Sequence, residues 1–233
     1  MQFEYAIYKI LPKAFLLELD NVYDLGMIFL RAQERYECSN HRFIEHGFTL
    51  LEYMDWYAKA VSDDKAFTYG SDYYGFNLPS WAIRRCYNSA VQDVTPYDEF
   101  MIALLNYLDK LSDGGDYYVI GVQRGDKETF NHEMAHVYYF SNEQYKQKMD
   151  ALVDQLAHKE VLFETLEKGF GYHNSVHYDE VQAFMSTGLV DEMGFFEPFR
   201  PKFIEVFQST HKGFTLPPPL KTDIVDFFPK NTI

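Results

Sequence analysis

DYYVIGVQRGDKETFNHEMAHVYYF, residues 116–140, reads as a strand, a turn and a helix, and everything else in the chain is placed around it. Residues Asp116 to Gln123 are rich in β-branched and aromatic side chains and follow the turn signal Asp113-Gly114-Gly115, which predicts a strand. After Arg124-Gly125-Asp126, the segment Lys127 to Phe140 has neither Pro nor Gly. It sets Phe130, Met134, Val137 and Phe140 at helical spacing, which predicts a buried helix. On that helix His132 and His136 are four residues apart, so their imidazoles project from one face about a turn apart and can share one metal ion. Glu133 then stands beside the ion with its carboxylate free to aim and deprotonate a water. His-Glu-x-x-His arises by chance in about one shuffled chain of this composition in fifty, so the strand, turn and helix context gives it its weight.

The HEMAH segment resembles the zincin metallopeptidases, whose active-site helix carries HExxH. That resemblance implies Zn²⁺ held by His132 and His136, with Glu133 as the general base that later passes its proton to the leaving amine. The third ligand separates the branches. A metzincin would need Gly at position 139 and His at 142, where this chain has Tyr139 and Asn142. A gluzincin takes a glutamate from a later helix, and SVHYDEVQAFMSTGL, Ser175 to Leu189, offers Glu180 on an apolar face with Val176, Ala183, Phe184 and Leu189. Glu180 points toward a core, where a carboxylate needs a cation, a donor or a metal. The run Asp179 to Phe184 is similar to the second gluzincin motif, E-x-x-A. It departs from it at Phe184, where an acid often stands, so the group that orients a ligand imidazole must be Asp179 or a backbone carbonyl.

His177 and His173 precede Glu180 by three and seven residues. Either could donate to the tetrahedral oxyanion, with His177 the closer, or complete the metal site instead. Tyr172 and Tyr178 could offer a phenol for the same charge. Cys86 raises the deformylase alternative, in which a cysteine is the third ligand, but its context Arg84-Arg85-Cys86-Tyr87-Asn88 does not match that family. A carboxylate-bridged di-iron site would need a second Glu-x-x-His, and there is none.

At 233 residues the chain can bury a large core in one domain or two closely packed lobes. Apolar residues at 47% and aromatics at 18% mark a globular protein, and the Tyr and Phe excess suits either a core or a peptide groove. A net charge of −14 argues against sequence-independent nucleic-acid binding and against an anionic membrane surface. Cys38 and Cys86 lie outside any paired-metal spacing and read as free thiols of a reducing compartment. MQFEYAIYKILPKAFLLELD lacks the pattern of a signal peptide, and no apolar run is long enough to span a bilayer, so a cytoplasmic enzyme is expected; export without such a signal escapes that reading.

Outward from the metal segment, Ala14 to Asp20 predicts a strand and Tyr23 to Glu37 an amphipathic helix. Thr49 caps a helix with Leu50, Leu51, Met54, Trp56 and Tyr57. FTYGSDYYGFNLP, Phe67 to Pro79, reads as a loop or irregular strand pair that either faces substrate or connects lobes. Thr95 and Pro96 open a further helix through Leu108. Helices are expected at Asn142–Ala157, Lys159–Lys168 and Pro198–Ser209. The tail FTLPPPLKTDIVDFFPKNTI must be extended at Pro217, Pro218 and Pro219, and Ile224, Val225, Phe227 and Phe228 could anchor it.

These readings converge on an α+β, mostly helical, zincin-like fold, with residues 1–94 as an N-terminal subdomain and 95–233 carrying the metal site. The strand Asp116–Gln123 is expected at the sheet edge, where an extended substrate adds backbone hydrogen bonds. The expected activity is zinc-dependent hydrolysis of a peptide or amide bond in a peptide or protein substrate. Its site would comprise His132, His136 and Glu180 on the metal and Glu133 and His177 in catalysis. The alternative is a peptide- or protein-binding module with a structural or vestigial zinc.

Overall fold

The computed structural model describes residues 3–62, 64–88, 91, 93–221 and 224. The chain begins with a hairpin, β1 (Tyr5–Leu11) and β2 (Ala14–Leu19), antiparallel from Tyr5↔Leu19 to Leu11↔Ala14 with a slip between Lys9 and Leu11. Helices α1 (Val22–Glu37), α2 (His41–His46), α3 (Leu50–Ala60) and α4 (Tyr69–Asp72) precede β3 (Gly75–Pro79). Helices α5 (Ser80–Asn88) and α6 (Pro96–Leu111) lead to β4 (Tyr118–Gln123). The HEMAH segment lies on α7 (Lys127–Ser141), followed by α8 (Glu143–Asp154), α9 (Lys159–Gly169), α10 (His177–Thr187) and α11 (Arg200–His211). The class is α+β, mostly helical, with a single small mixed sheet among the described residues.

Strand order is β1-β2-β4-β3, with β2 and β4 parallel and β3 antiparallel to β4. The segment expected at the edge is therefore interior, and β3 is the edge. The reason is visible in its composition: Tyr118-Val119-Ile120-Gly121-Val122 is apolar at every position, the mark of a strand covered on both faces rather than half-exposed. β2 shows the same signature, with all six residues buried.

Period-two alternation sorts these side chains into two cores. Phe15, Leu17, Leu19, Phe76, Leu78 and Val119 meet the helices of the first half, α1 and α6 among them, on one face. Ala14, Leu16, Tyr118, Ile120 and Val122 meet α7, α8, α10 and α11 on the other. Burying a Leu or Phe side chain contributes about 1.5–3 kcal/mol each, so these two layers dominate the stabilisation. Gly121 is what lets α1 lie flat on β4, since a Cβ there would meet the Phe29 ring at 2.5 Å.

Thr95 and Asp98 form a capping box at the start of α6, and the Asp98 carboxylate also receives Arg31 of α1 at 2.8 Å. Both charges are almost fully buried and satisfied by each other, which fixes α6 against α1.

β1, the opposite edge, is covered by the C-terminal segment: the Leu220 amide donates to the Ile7 carbonyl at 2.7 Å, and the amide of buried Ile224 donates to the Tyr5 phenol oxygen. The other proposed anchors, Val225, Phe227 and Phe228, lie outside the described residues. No helix among the described residues is long and apolar enough to cross a membrane.

Candidate metal centre

α7 follows β4 after a three-residue turn and is capped by Asp126, whose carboxylate accepts from the Thr129 amide at 3.0 Å. α10 packs across α7 with Val181 and Ala183 against Met134 and Ala135, all fully buried. The two alanines let the helix backbones approach, so side chains one turn along each helix point into the space between them. There His132 Nε2 and His136 Nε2 lie 3.3 Å apart, and Glu180 Oε1 is 3.8 Å from His136 Nε2. The ligand atoms of His132, His136 and Glu180 all fall within 4.8 Å of one another. Two nitrogens bound tetrahedrally at about 2.0–2.1 Å would be about 3.3 Å apart.

Hydrogen bonds fix which ring nitrogens face each other. His136 Nδ1 lies 2.8 Å from Asp179 Oδ1, a carboxylate, so Nδ1 is the protonated nitrogen. His132 Nδ1 lies 3.2 Å from Thr187 Oγ1, whose own hydroxyl proton goes to the Ala183 carbonyl at 2.8 Å, so this nitrogen donates too. The two Nε2 atoms thereby face one another, so a single proton or a metal ion has to lie between them, and Glu180 Oε2 is buried with no partner. Opposed lone pairs beside an orphaned carboxylate oxygen are costly unless a cation sits among them. The donor set, two imidazoles and a carboxylate, is of the chemistry and spacing that fit a zinc ion.

The electrostatics agree. Burial works to lower the His136 pKa, but Asp179, Glu180 and Glu133 outweigh it and raise it to about 10, so the carboxylates around this ring demand a positive charge. His132 is pushed down to about 3 by burial and by His136, which keeps it neutral and able to ligate. Glu180 is raised, first by burial and then by Asp179 and Glu133, with His136 opposing.

Glu133 is 3% exposed and takes no part in the triad; its Oε2 is buried without a partner. Burial raises its pKa to about 7, against the lowering by His136 and by a hydrogen bond from Asn77 on β3. A carboxyl titrating near neutrality is suited to accept a proton and return it. Gly75, the first residue of β3, makes this packing possible, since any side chain there would collide with Glu133 Oε1 and Thr129.

The centre opens into a cavity of ≈ 240 Å³ reached from the β3 edge and the C-terminal end of α1. His132, Glu133, His136 and Glu180 all line it. The expected loop Phe67–Pro79 is helix α4 and strand β3, and Tyr69 and Asp72 to Asn77 line the cavity as well.

His177 does not. It begins α10, and its ring lies 5.1 Å from Phe163 of α9, with Nε2 unpartnered. Three residues are about 60° short of a full turn, enough to swing His177 toward α9 while Glu180 faces α7, so its expected oxyanion role is corrected. His173 is likewise elsewhere, bonded to Ser175 and stacked edgewise on His41. Of the two tyrosines, Tyr172 lines the cavity, whereas Tyr178 donates to Asp154 and accepts from Lys159. Asp179 supplies the orienting contact for which a backbone carbonyl was the other candidate. Cys86 lies on the buried face of α5 and is not among the residues that line the cavity, its Sγ lying 3.7 Å from the Arg31 carbonyl.

Three participants carry no motif. Thr187 is seven residues past Glu180 and so shares its helix face, a signal that spacing could have raised. Asn77 and Gly75 lie in a short strand more than fifty residues upstream. Glu34 and Glu37 of α1 also reach the cavity, joined by the pairing of Cys38 with Tyr172 and of the His173 amide with the Glu37 carbonyl at 2.6 Å.

Glu34 is held at about 7, raised by burial against hydrogen bonds from Tyr53, Tyr69 and Cys38. The folded chain keeps this proton where an unfolded glutamate, near 4.5, has lost it, so stability falls as pH rises from about 4.5 to 7. Glu34→Gln removes that loss. It should add up to about 3 kcal/mol at pH 8 and close to nothing at pH 4, read by urea unfolding at both. An equal effect at the two pH values would contradict the assignment.

Comparison with known protein families, with curated proteins and with solved structures returns no significant match in any of the three.

Proposed function

We propose that this chain is a zinc-dependent metallopeptidase that hydrolyses a peptide or amide bond on a zincin-like scaffold with a gluzincin-like ligand set, His132, His136 and Glu180. The observation that carries the reading is the convergence of two facing imidazole Nε2 atoms and an orphaned carboxylate oxygen beside a separate Glu133 that is outside the triad. When bound, zinc supplies Lewis-acid polarisation and lowers the pKa of water near it.

The protein's own groups do the rest. Asp179 and Thr187 hold the two imidazoles in the ligating tautomer. Glu133, positioned by Asn77 and unobstructed at Gly75, accepts a proton from the attacking water at Oε2 and delivers it to the departing nitrogen. Tyr172 offers its phenol O–H to the oxyanion, and burial keeps that proton in place by raising its pKa well above the usual range. β3 carries no strand on its outer side among the described residues, so an extended substrate can pair with it directly above Glu133. An antiparallel edge strand over the base, a strand leading into the HExxH helix and a second helix carrying glutamate together support the zincin-like reading.

The test is zinc analysis of the purified chain together with digestion of a mixed peptide pool, scored for new amino termini. Stoichiometric zinc and cleavage that a chelator abolishes and added zinc restores are the expected results. A protein that takes up no zinc on titration would overturn the proposal.

A further inference from the structure

The cavity has a lobe that the hydrolytic chemistry does not use. It follows the last turns of α1, where Gln33, Glu34 and Glu37 line it, and its walls include the rings of Tyr53, Tyr57 and Tyr69. Gln33 Nε2 donates to Glu37 Oε1 at 2.6 Å, which leaves Gln33 Oε1 without a partner in a side chain only 4% exposed. Glu34 and Glu37 are buried to a similar degree, and among the described residues no lysine or arginine lines the cavity. This wall thus gathers two carboxyl groups and an orphaned amide oxygen among aromatic faces, with no lysine or arginine among the described residues beside them and with the Tyr53 and Tyr69 hydroxyls already directed to Glu34.

We propose that this lobe is a specificity pocket for a basic side chain, arginine foremost and lysine after it, on the substrate residue beside the bond to be cleaved. The proposal rests on the metallopeptidase reading. An orphaned amide oxygen, Gln33 Oε1, beside two carboxyl groups that have no lysine or arginine in the cavity wall is completed by a group that brings only donors, and guanidinium brings five in a fixed plane while ammonium brings three. Tyr rings add attraction for a cation that has shed its water.

The geometry favours a long side chain over the substrate's own amino terminus. Glu37 is the acid that feels Glu180 and His136, whereas Glu34 lies one turn deeper, about 4.5 Å along α1, and interacts with Tyr53 and Tyr69 instead. An α-ammonium next to the scissile bond would meet Glu37 alone. A flexible stem reaches both.

The test reads binding without turnover. Zinc-loaded Glu133→Gln protein is titrated calorimetrically with Nα-acetyl-arginine amide, with Nα-acetyl-norleucine amide, and with norleucine amide bearing a free amine. The arginine derivative should bind about tenfold or more tighter than acetyl-norleucine amide, and adding Glu34→Gln and Glu37→Gln should erase that preference at unchanged zinc content. Should the double substitution unfold the chain, Glu34→Gln alone should reduce the preference severalfold. Equal binding of the arginine and norleucine derivatives, or a preference that survives the substitutions, overturns the pocket. A free-amine norleucine amide that binds as well as the arginine derivative also overturns it, by giving the acceptors to an amino terminus. A protein that selects arginine but cleaves nothing counts against the peptidase reading alone, and one that cleaves without regard to basic residues counts against the pocket alone.

Discussion

Glu133→Gln should leave zinc content unchanged and cut peptide hydrolysis by roughly 10²–10⁴-fold, the usual contribution of a positioned general base. The substitution is close to isosteric, and Glu133 lies outside the ligand triad, so nothing that grips the ion is removed. What disappears is the carboxyl poised near neutrality by burial, with one oxygen unpartnered and facing the reaction space. Asn77, whose Oδ1 accepts from the Tyr118 hydroxyl at 2.6 Å, can donate its amide N–H to a carboxamide oxygen as it does to the carboxylate, so the packing beneath Gly75 should hold. Metal content by mass spectrometry and turnover on a cleaved peptide decide the matter. Turnover equal to that of the parent would remove Glu133 from catalysis.

His136→Ala should separate the protein from its metal and from the stability that the metal confers. An ion that binds only the folded chain stabilises it by about 4 kcal/mol at a thousandfold excess over Kd. For a domain of this size that corresponds to a rise in Tm of roughly 8–16 °C when zinc is returned to chelator-stripped protein. The variant should show almost none of it. His136 is the ring between Asp179 and Glu180, fully buried, so its loss takes away a ligand and strands two carboxylates. An undiminished zinc-induced rise in the variant would show that the ion is bound elsewhere.

Much of the fold around the metal was legible in the sequence because local chemistry dictated it. Thr95 and Thr49 cap the helices whose starts they announced, and the apolar period of 127–140 is α7, buried from Glu133 to Tyr138. Glu180 could be found because a carboxylate amid Val181, Ala183 and Phe184 has to meet something. The misreadings have physical causes as well. β1 escaped notice because Tyr5–Leu11 faces apolar neighbours on both sides and so shows no clean alternation. α5 begins right after Pro79 with no capping residue of the usual kind, and its two arginines conceal the buried face made by Ala82, Ile83 and Cys86. His177 was misjudged because sequence spacing fixes a helix face only to within about sixty degrees, which here is the difference between two neighbouring helices. The placement of Asn77, Gly75, Glu34 and Glu37 depends on how the sheet closes, and no local pattern encodes that.

The interleaved strand order has a consequence for how the molecule comes into being. With β4 lodged between β2 and β3, the hairpin at the start of the chain and the edge strand at Gly75–Pro79 have no backbone partner in common until residues 118–123 arrive and stitch them together. The three residues that follow lead straight into α7, so the step that joins the sheet also delivers the helix that carries His132, Glu133 and His136. Closing the sheet and bringing α7 beside α10 thus both depend on contacts between residues far apart in the sequence, the kind whose formation slows folding. A nascent chain halted before that strand would have neither a finished sheet nor the cluster of His132, His136 and Glu180.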